Sequence, residues 1–175
     1  MEFDLGHFLI REWRRGDEES LVRHANNPKV VRTLRDRFPH PYTRADADLW
    51  IAHASAEDPI TNFALVVDGQ AVGGIGFMRQ DDVSRRSVEI GYWLGEAYWG
   101  RGIATAAVCA LSDYIFASFD VCRIYASVFD TNGASIRVLE KAGFVCEGRQ
   151  RRAVTKNGET LDSLMYARVK EQDEV

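Results

Sequence analysis

The spacing of apolar and polar positions changes period several times along the chain. Phe8-Leu9-Ile10-Arg11-Glu12-Trp13 predicts a short strand near the start. Leu21, Val22 and Ala25 then recur at helical spacing behind Asp17-Glu18-Glu19. Acidic groups suit the positive end of a helix dipole, so a helix is expected from about Asp17. Asn26-Asn27-Pro28 breaks it, and a second helical piece is expected from Pro28 toward Leu34. An irregular stretch follows, Arg37-Phe38-Pro39-His40-Pro41-Tyr42. Thr43-x-x-Asp46 then has the spacing of a capping pair and opens a helix through about His53.

The middle of the chain changes to β character. Asn62–Val67 and Ala71–Met78 are apolar and rich in β-branched residues, and Asp68-Gly69 between them is a hairpin signal. Ser87–Leu94 is a third strand. Further on, Ile103, Ala107, Ala110, Leu111, Tyr114 and Ile115 share one face of a predicted helix over 102–117. Ile136 and Leu139 do the same over 133–142, and Gly143 is a C-cap signal. Arg123–Phe129 is a strand between these helices. Asn157-Gly158 joins two closing strands near Phe144–Arg152 and Thr160–Val169. No repeat, linker or low-complexity tract interrupts the order, so residues 1–175 read as one α/β (α+β) domain. It is expected to carry a mixed, largely antiparallel sheet of about seven strands with about four helices.

Composition narrows the class. A chain of 175 residues with 46% hydrophobic positions can bury a core without a metal or disulfide staple. A net charge of -4 disfavours a general nucleic-acid surface. No apolar run approaches the ~18 residues of a membrane span, and Met1–His7 lacks the pattern of a signal peptide. Cys109, Cys122 and Cys146 form no C-x-x-C pair and are expected to be buried thiols of a cytoplasmic protein. His7, His24, His40 and His53 have no metal-ligand spacing, so no metal site is expected. The acidic end, Glu171-Gln172-Asp173-Glu174, is expected to be a disordered tail. The sequence leaves both a monomer and a homodimer open.

Candidate chemistry is concentrated in one segment. The strand Val88-Glu89-Ile90-Gly91-Tyr92-Trp93-Leu94 runs through Gly95-Glu96-Ala97-Tyr98 into Trp99-Gly100-Arg101-Gly102-Ile103-Ala104-Thr105, where the long helix begins. A helix N-terminus presents unpaired N–H groups and a positive dipole end. Gly100 and Gly102 let the backbone come close to a ligand, and Arg101 adds charge. The arrangement suits an anion, phosphate above all. The spacing fits neither G-x-x-x-x-G-K-[ST] nor the dinucleotide fingerprint, which needs Gly or Ala where Thr105 stands. Gly74-Ile75-Gly76 lies inside a strand and is read as structural.

Trp99-Gly100-Arg101-Gly102-Ile103-Ala104 resembles the acetyl-CoA pyrophosphate loop of the GNAT acetyltransferase superfamily, [QR]-x-x-G-x-[GA], with Trp99 in place of the usual first residue. That departure, Glu89-Ile90-Gly91-Tyr92-Trp93-Leu94, and Asn132-x-x-Ser135-x-Arg137-Val138-Leu139-Glu140-Lys141-Ala142-Gly143-Phe144 are all similar to the Rim-type branch. The likeness runs from Leu9 to Tyr166. It implies a sheet splayed after Leu94, with pantetheine bonded to the backbone of Tyr92, Trp93 and Leu94 like an added strand. It also implies pyrophosphate held by N–H groups from Gly100 to Thr105, and Asn132 bonded to the pantetheine arm. The activity implied is transfer of acetyl from acetyl-CoA to a primary amine. The first reading of that amine is a peptide or ribosomal-protein N-terminus, with a small amine, amino sugar or antibiotic as the alternative. A non-catalytic acyl-CoA sensor and a nucleotide-phosphate binder are the rival classes.

Acetyl transfer needs a neutral amine and a stabilised leaving thiolate. Many relatives place a Tyr acid at the position of Leu139, so Ser135 is the candidate partner of the thiolate, with helix capping as its structural alternative. Glu89 is the candidate base, acting through a water, with pairing to Arg85 or Arg86 as the alternative. Phe38, His40 and Tyr42 are the candidate acceptor-recognition residues, with loop packing as the alternative. Arg149, Arg151 and Arg152 are expected to form a solvated strand face, Arg149 and Arg151 on one side by alternation.

Overall fold

The computed structural model describes residues 2–170, so the expected tail lies outside the described residues. The elements are β1 (Glu2–Asp4), β2 (Leu9–Glu12), α1 (Glu18–Ala25), α2 (Pro28–Val31), α3 (Arg44–Ser55), β3 (Asn62–Val67), β4 (Gln70–Arg79), β5 (Ser87–Leu94), α4 (Ile103–Ser118), β6 (Arg123–Phe129), α5 (Gly133–Lys141), β7 (Val145–Lys156) and β8 (Glu159–Val169). The eight strands form one open sheet in the order β1-β2-β3-β4-β5-β6-β8-β7. β5 and β6 pair in parallel, while β1–β2, β2–β3, β6–β8 and β7–β8 are antiparallel. The α/β class expected from the periodicity is therefore observed. β1 is an addition: with only three residues it carries no readable alternation.

The local chemistry explains the boundaries. Thr43 and Asp46 form a reciprocal capping box at the start of α3, which satisfies two helix donors at once. Asp68-Gly69 and Asn157-Gly158 all have positive φ, as tight hairpin turns with the right-handed twist require. Asp17 precedes α1 but makes no side-chain cap. Its carboxylate instead takes both prongs of the buried Arg11 guanidinium at 2.7 and 2.8 Å.

The chain divides into two compact units, one made of the residues up to Gly76 with Tyr92–Ala107, the other of Phe77–Gly91 with the residues from Val108 onward. In the first, Trp13, Leu21, Tyr42, Ile51 and Val66 are buried in one apolar cluster, with Phe38, Trp50 and Trp93 packed against it. In the second, Val88, Leu111, Ile115, Ile124 and Leu139 are fully enclosed. The cysteines depart from expectation: Cys109 and Cys122 are half-buried and Cys146 is exposed, because β7 is an edge strand with an exposed face at that end.

The late arginines are exposed, as a solvated strand face requires, but they do not alternate as expected. The register of β7 against β8 shifts between Gln150 and Val154, and Arg152 has φ +52°. This bulge breaks the alternation on which the predicted faces of Arg149, Arg151 and Arg152 rested. Asp162 accepts the Arg152 N–H at 2.7 Å, and Arg149 pairs with both Asp162 and Asp130.

Candidate active site

In the first unit, the end of β5 is held against β4 by close backbone approach. A Cβ on Gly73 would lie 2.5 Å from the Trp93 carbonyl oxygen, and one on Gly74 would lie 2.9 Å from the Trp93 indole nitrogen. Only glycine fits at that spacing, so the apolar β4 run carries its glycines for packing, as read from the sequence. Gly95 N–H then donates to the Val72 carbonyl at 2.8 Å, and a short 3-10 turn covers Glu96–Tyr98. The Trp99 indole N–H donates to the Leu94 carbonyl at 2.7 Å and ties the end of β5 to the start of the loop.

Gly100 and Gly102 have φ of +76° and +78°. A Cβ at either would meet nothing within 4 Å, so the requirement there is backbone conformation and not room. The two left-handed glycines turn the chain into α4, whose first helical bond runs from Ala106 N–H to the Gly102 carbonyl at 3.0 Å. The first-turn N–H groups of Ile103, Ala104 and Thr105 therefore have no helical acceptor behind them. No acidic side chain occupies that turn, and Arg101 adds a positive charge while its guanidinium stacks over the Tyr98 ring at 5.0 Å. Open space, left-handed glycines, N–H donors and a cation together fit a pyrophosphate.

The aromatic candidates lie in the same unit. Phe38 packs on Trp93 with ring centroids 5.5 Å apart and on Tyr42 at 5.1 Å. Tyr42 is buried, and burial, helped by Asp46, pushes its hydroxyl up to about 12. His40 is exposed. Sequence reasoning passed over Asn27, Lys29 and Glu96 here. The Glu96 carboxylate takes an ion pair from Lys29 and a 2.9 Å bond from the Asn27 amide. Asn27-Pro28 reads only as a helix break, and a partner more than sixty residues away leaves no local signal.

In the second unit, β5 pairs with β6 over Ser87, Val88 and Glu89, opposite Arg123, Ile124 and Tyr125. Glu89 is half-buried at the end of that register, with the fully enclosed Val88 and Ile124 pair beside it. Near the start of β5, Arg86 pairs with Asp120, and Arg85 donates to the Asp82 carbonyl. Asn132 caps α5, its side-chain oxygen accepting the Ser135 N–H at 3.2 Å. The cap leaves the Asn132 amide NH2 end as the group able to donate to a ligand. Leu139, where a tyrosine acid would stand, is a fully enclosed core residue. Tyr166 is also buried; burial, helped by its 3.1 Å bond to Glu140, pushes its hydroxyl up to about 12. Among the described residues, no three His, Cys, Asp or Glu side chains are grouped as metal ligands.

The sequence profile of the acetyltransferase (GNAT) domain family matches residues 7–145. An uncharacterized N-acetyltransferase, p20 of Bacillus licheniformis, is 30% identical over 166 residues, covering 93% of each chain. The putative ribosomal N-acetyltransferase YdaF of Bacillus subtilis is 32% identical over 148 residues, 85% of this chain and 75% of that one. Among solved structures, RimL, a ribosomal L7/L12 α-N-protein acetyltransferase in complex with coenzyme A, superposes with a TM-score of 0.86 at 20% identity, over 99% of this chain and 100% of that one.

Proposed function

Because the chain belongs to the GNAT family of acetyl-CoA-dependent N-acetyltransferases, we propose that its acceptor is the N-terminal amine of a peptide, a ribosomal protein in the first instance. The observation that carries the cofactor side is the left-handed Gly100-Arg101-Gly102 turn opening α4. The similarity to YdaF supports the acceptor class. Acetyl-CoA supplies the acyl group as a thioester. In the first unit, N–H groups between Gly100 and Thr105 hold its pyrophosphate, and the backbone of Tyr92, Trp93 and Leu94 holds the pantetheine amides. A backbone N–H near Trp93 or Leu94 polarises the thioester carbonyl. Phe38 and His40 belong to the acceptor-recognition side, with the buried Tyr42 packed behind Phe38.

In the second unit, the Asn132 amide bonds the arm near its thiol end. Glu89, on a strand bounded by enclosed apolar residues, accepts the proton of the incoming amine through a water. Ser135 steadies the departing thiolate by a hydrogen bond. The amine attacks the thioester directly, so no acyl group rests on the protein. Binding both reactants side by side supplies much of the rate.

A panel of short peptides with different N-terminal residues, set against free amino acids, amino sugars and polyamines, tests the acceptor. Peptides are expected to release coenzyme A thiol well above buffer hydrolysis, with mass spectrometry placing the acetyl on the α-amine. Acetylation confined to the small amines overturns the N-terminal assignment. Glu89→Gln is expected to cut kcat on the order of a hundredfold, the usual scale of a lost general base.

A further inference from the structure

The cofactor loop is tied to the short helix α2 through the Glu96 side chain. Its carboxylate meets Lys29 Nζ on one oxygen and the Asn27 amide, at 2.9 Å, on the other. Asn27 is at the same time the N-cap of α2, its side-chain oxygen accepting the Lys29 N–H at 2.9 Å. The Glu96 backbone carbonyl accepts the Trp99 N–H at 3.1 Å, immediately before the glycine turn. One residue therefore holds α2 with its side chain and the start of the loop with its backbone.

Apolar packing does not do this in its place. An open depression of about 430 Å³ lies beside the connection, lined by Arg23, His24, Asn27, Glu96 and Ala97. The chain passes so close to α1 at Gly95 that a Cβ there would lie 2.8 Å from His24 Nδ1. The segment is thus pressed on α1 at one point and open at the next, and polar bonds hold the open part. Glu96 and Lys29 side chains keep 36% and 61% of their exposure, so the pair adds little to global stability. What it can fix is the placement of the loop.

We propose that Glu96 is a positioning residue for acetyl-CoA: anchored by Lys29 and Asn27, it sets where the Gly100–Thr105 donors face. The inference rests on the pyrophosphate-loop reading above. Glu96 acts through the loop and touches no reacting atom. Its loss therefore raises KM for acetyl-CoA while kcat at saturating acetyl-CoA, and KM for the amine, stay close to wild type.

The test is calorimetric titration of acetyl-CoA into wild type, Glu96→Gln, Lys29→Met, and the exchanged pair Lys29→Glu with Glu96→Lys, alongside steady-state kinetics. Glu96→Gln is expected to weaken binding on the order of tenfold, the scale of lost pre-organisation. Lys29→Met should move in the same direction, and it keeps the test readable if Glu96→Gln folds poorly. The exchanged pair should recover part of the loss, which a generic structural defect would not. Binding by Glu96→Gln and Lys29→Met equal to wild type, or an exchange that recovers nothing, overturns the inference. Wild type that fails to bind acetyl-CoA overturns the loop reading itself; wild type that binds, with an unbound Gly102→Glu, keeps that reading while the clamp stands or falls on its own variants.

Discussion

Arg11 and Asp17 are the charged pair most deeply enclosed among the described ion pairs, with side chains only 5% and 6% exposed. Asp17 takes the guanidinium on both oxygens and also accepts the Arg14 N–H at 3.1 Å, so it organises the turn between β2 and α1. Removing one partner strands the other charge in a low-dielectric site, at a cost of about 3–5 kcal/mol. Arg11→Ala or Asp17→Ala should therefore lower the urea midpoint sharply. The double variant Arg11→Met with Asp17→Leu should cost far less, because no charge is left behind. Single variants that cost under about 1 kcal/mol would contradict this account. The sequence shows the acidic Asp17 and suggests a dipole role. It cannot show that Arg11, on a strand before the turn, comes back to claim that carboxylate. The elements that carry Glu89, Asn132 and Ser135 were legible for the opposite reason: each residue sits inside a contiguous motif whose spacing fixes its element.

At the scale of elements, the strand, glycine turn and helix over residues 87–118 were readable because each part has its own local signal. The apolar strand, the paired glycines and the 3–4 spacing of α4 all agree, and the structure gives Gly100 and Gly102 the left-handed backbone that the turn needs. β1 was not readable because it is too short to show a period. The β7 bulge was not readable because it depends on Asp162 in the next strand, which bonds Arg149 and the Arg152 N–H. The left-handed turn yields a graded prediction. Gly102→Ala carries the backbone penalty of a Cβ at positive φ, about 1–2 kcal/mol, but nothing lies within 4 Å to clash with it. It should keep much of its acetyl-CoA binding. Gly102→Glu has the same penalty and adds a carboxylate where an anion is to bind, so its binding should be lost while circular dichroism stays unchanged. Equal binding by the two variants would remove the anion from that helix end.

For the whole molecule, the net charge of -4 hides an arrangement of like-signed pH responses. Hydrogen bonds hold Asp46 (Thr43), Glu96 (Lys29, then Asn27) and Glu147 (Arg123) below their ordinary values, and Asp162 is held down by the Arg152 N–H, then by Arg149. His24 is lowered as well, first by burial and then by Arg23. Its surroundings agree: Tyr98 packs on the ring, Gly95 lies against it, and Nε2 is enclosed with no acceptor among the described residues. In the charged ring both nitrogens carry protons, so its Nε2–H would be an unsatisfied buried donor. All five groups therefore bind protons less readily in the folded chain than in the unfolded one. Linkage then makes stability fall as pH falls, with no opposing member in the set. The windows separate. His24 acts as pH drops below its ordinary 6.5 and through its lowered folded value, whereas the carboxylates act only below about 4.5, with Asp46 and Asp162 starting from 3.8. Urea midpoints measured from pH 7.5 downward should thus decline in two stages. His24→Gln should flatten the first stage and leave the acid stage in place. A wild-type midpoint that stays level down to about pH 4.5 would mean that His24 is not held neutral by the fold.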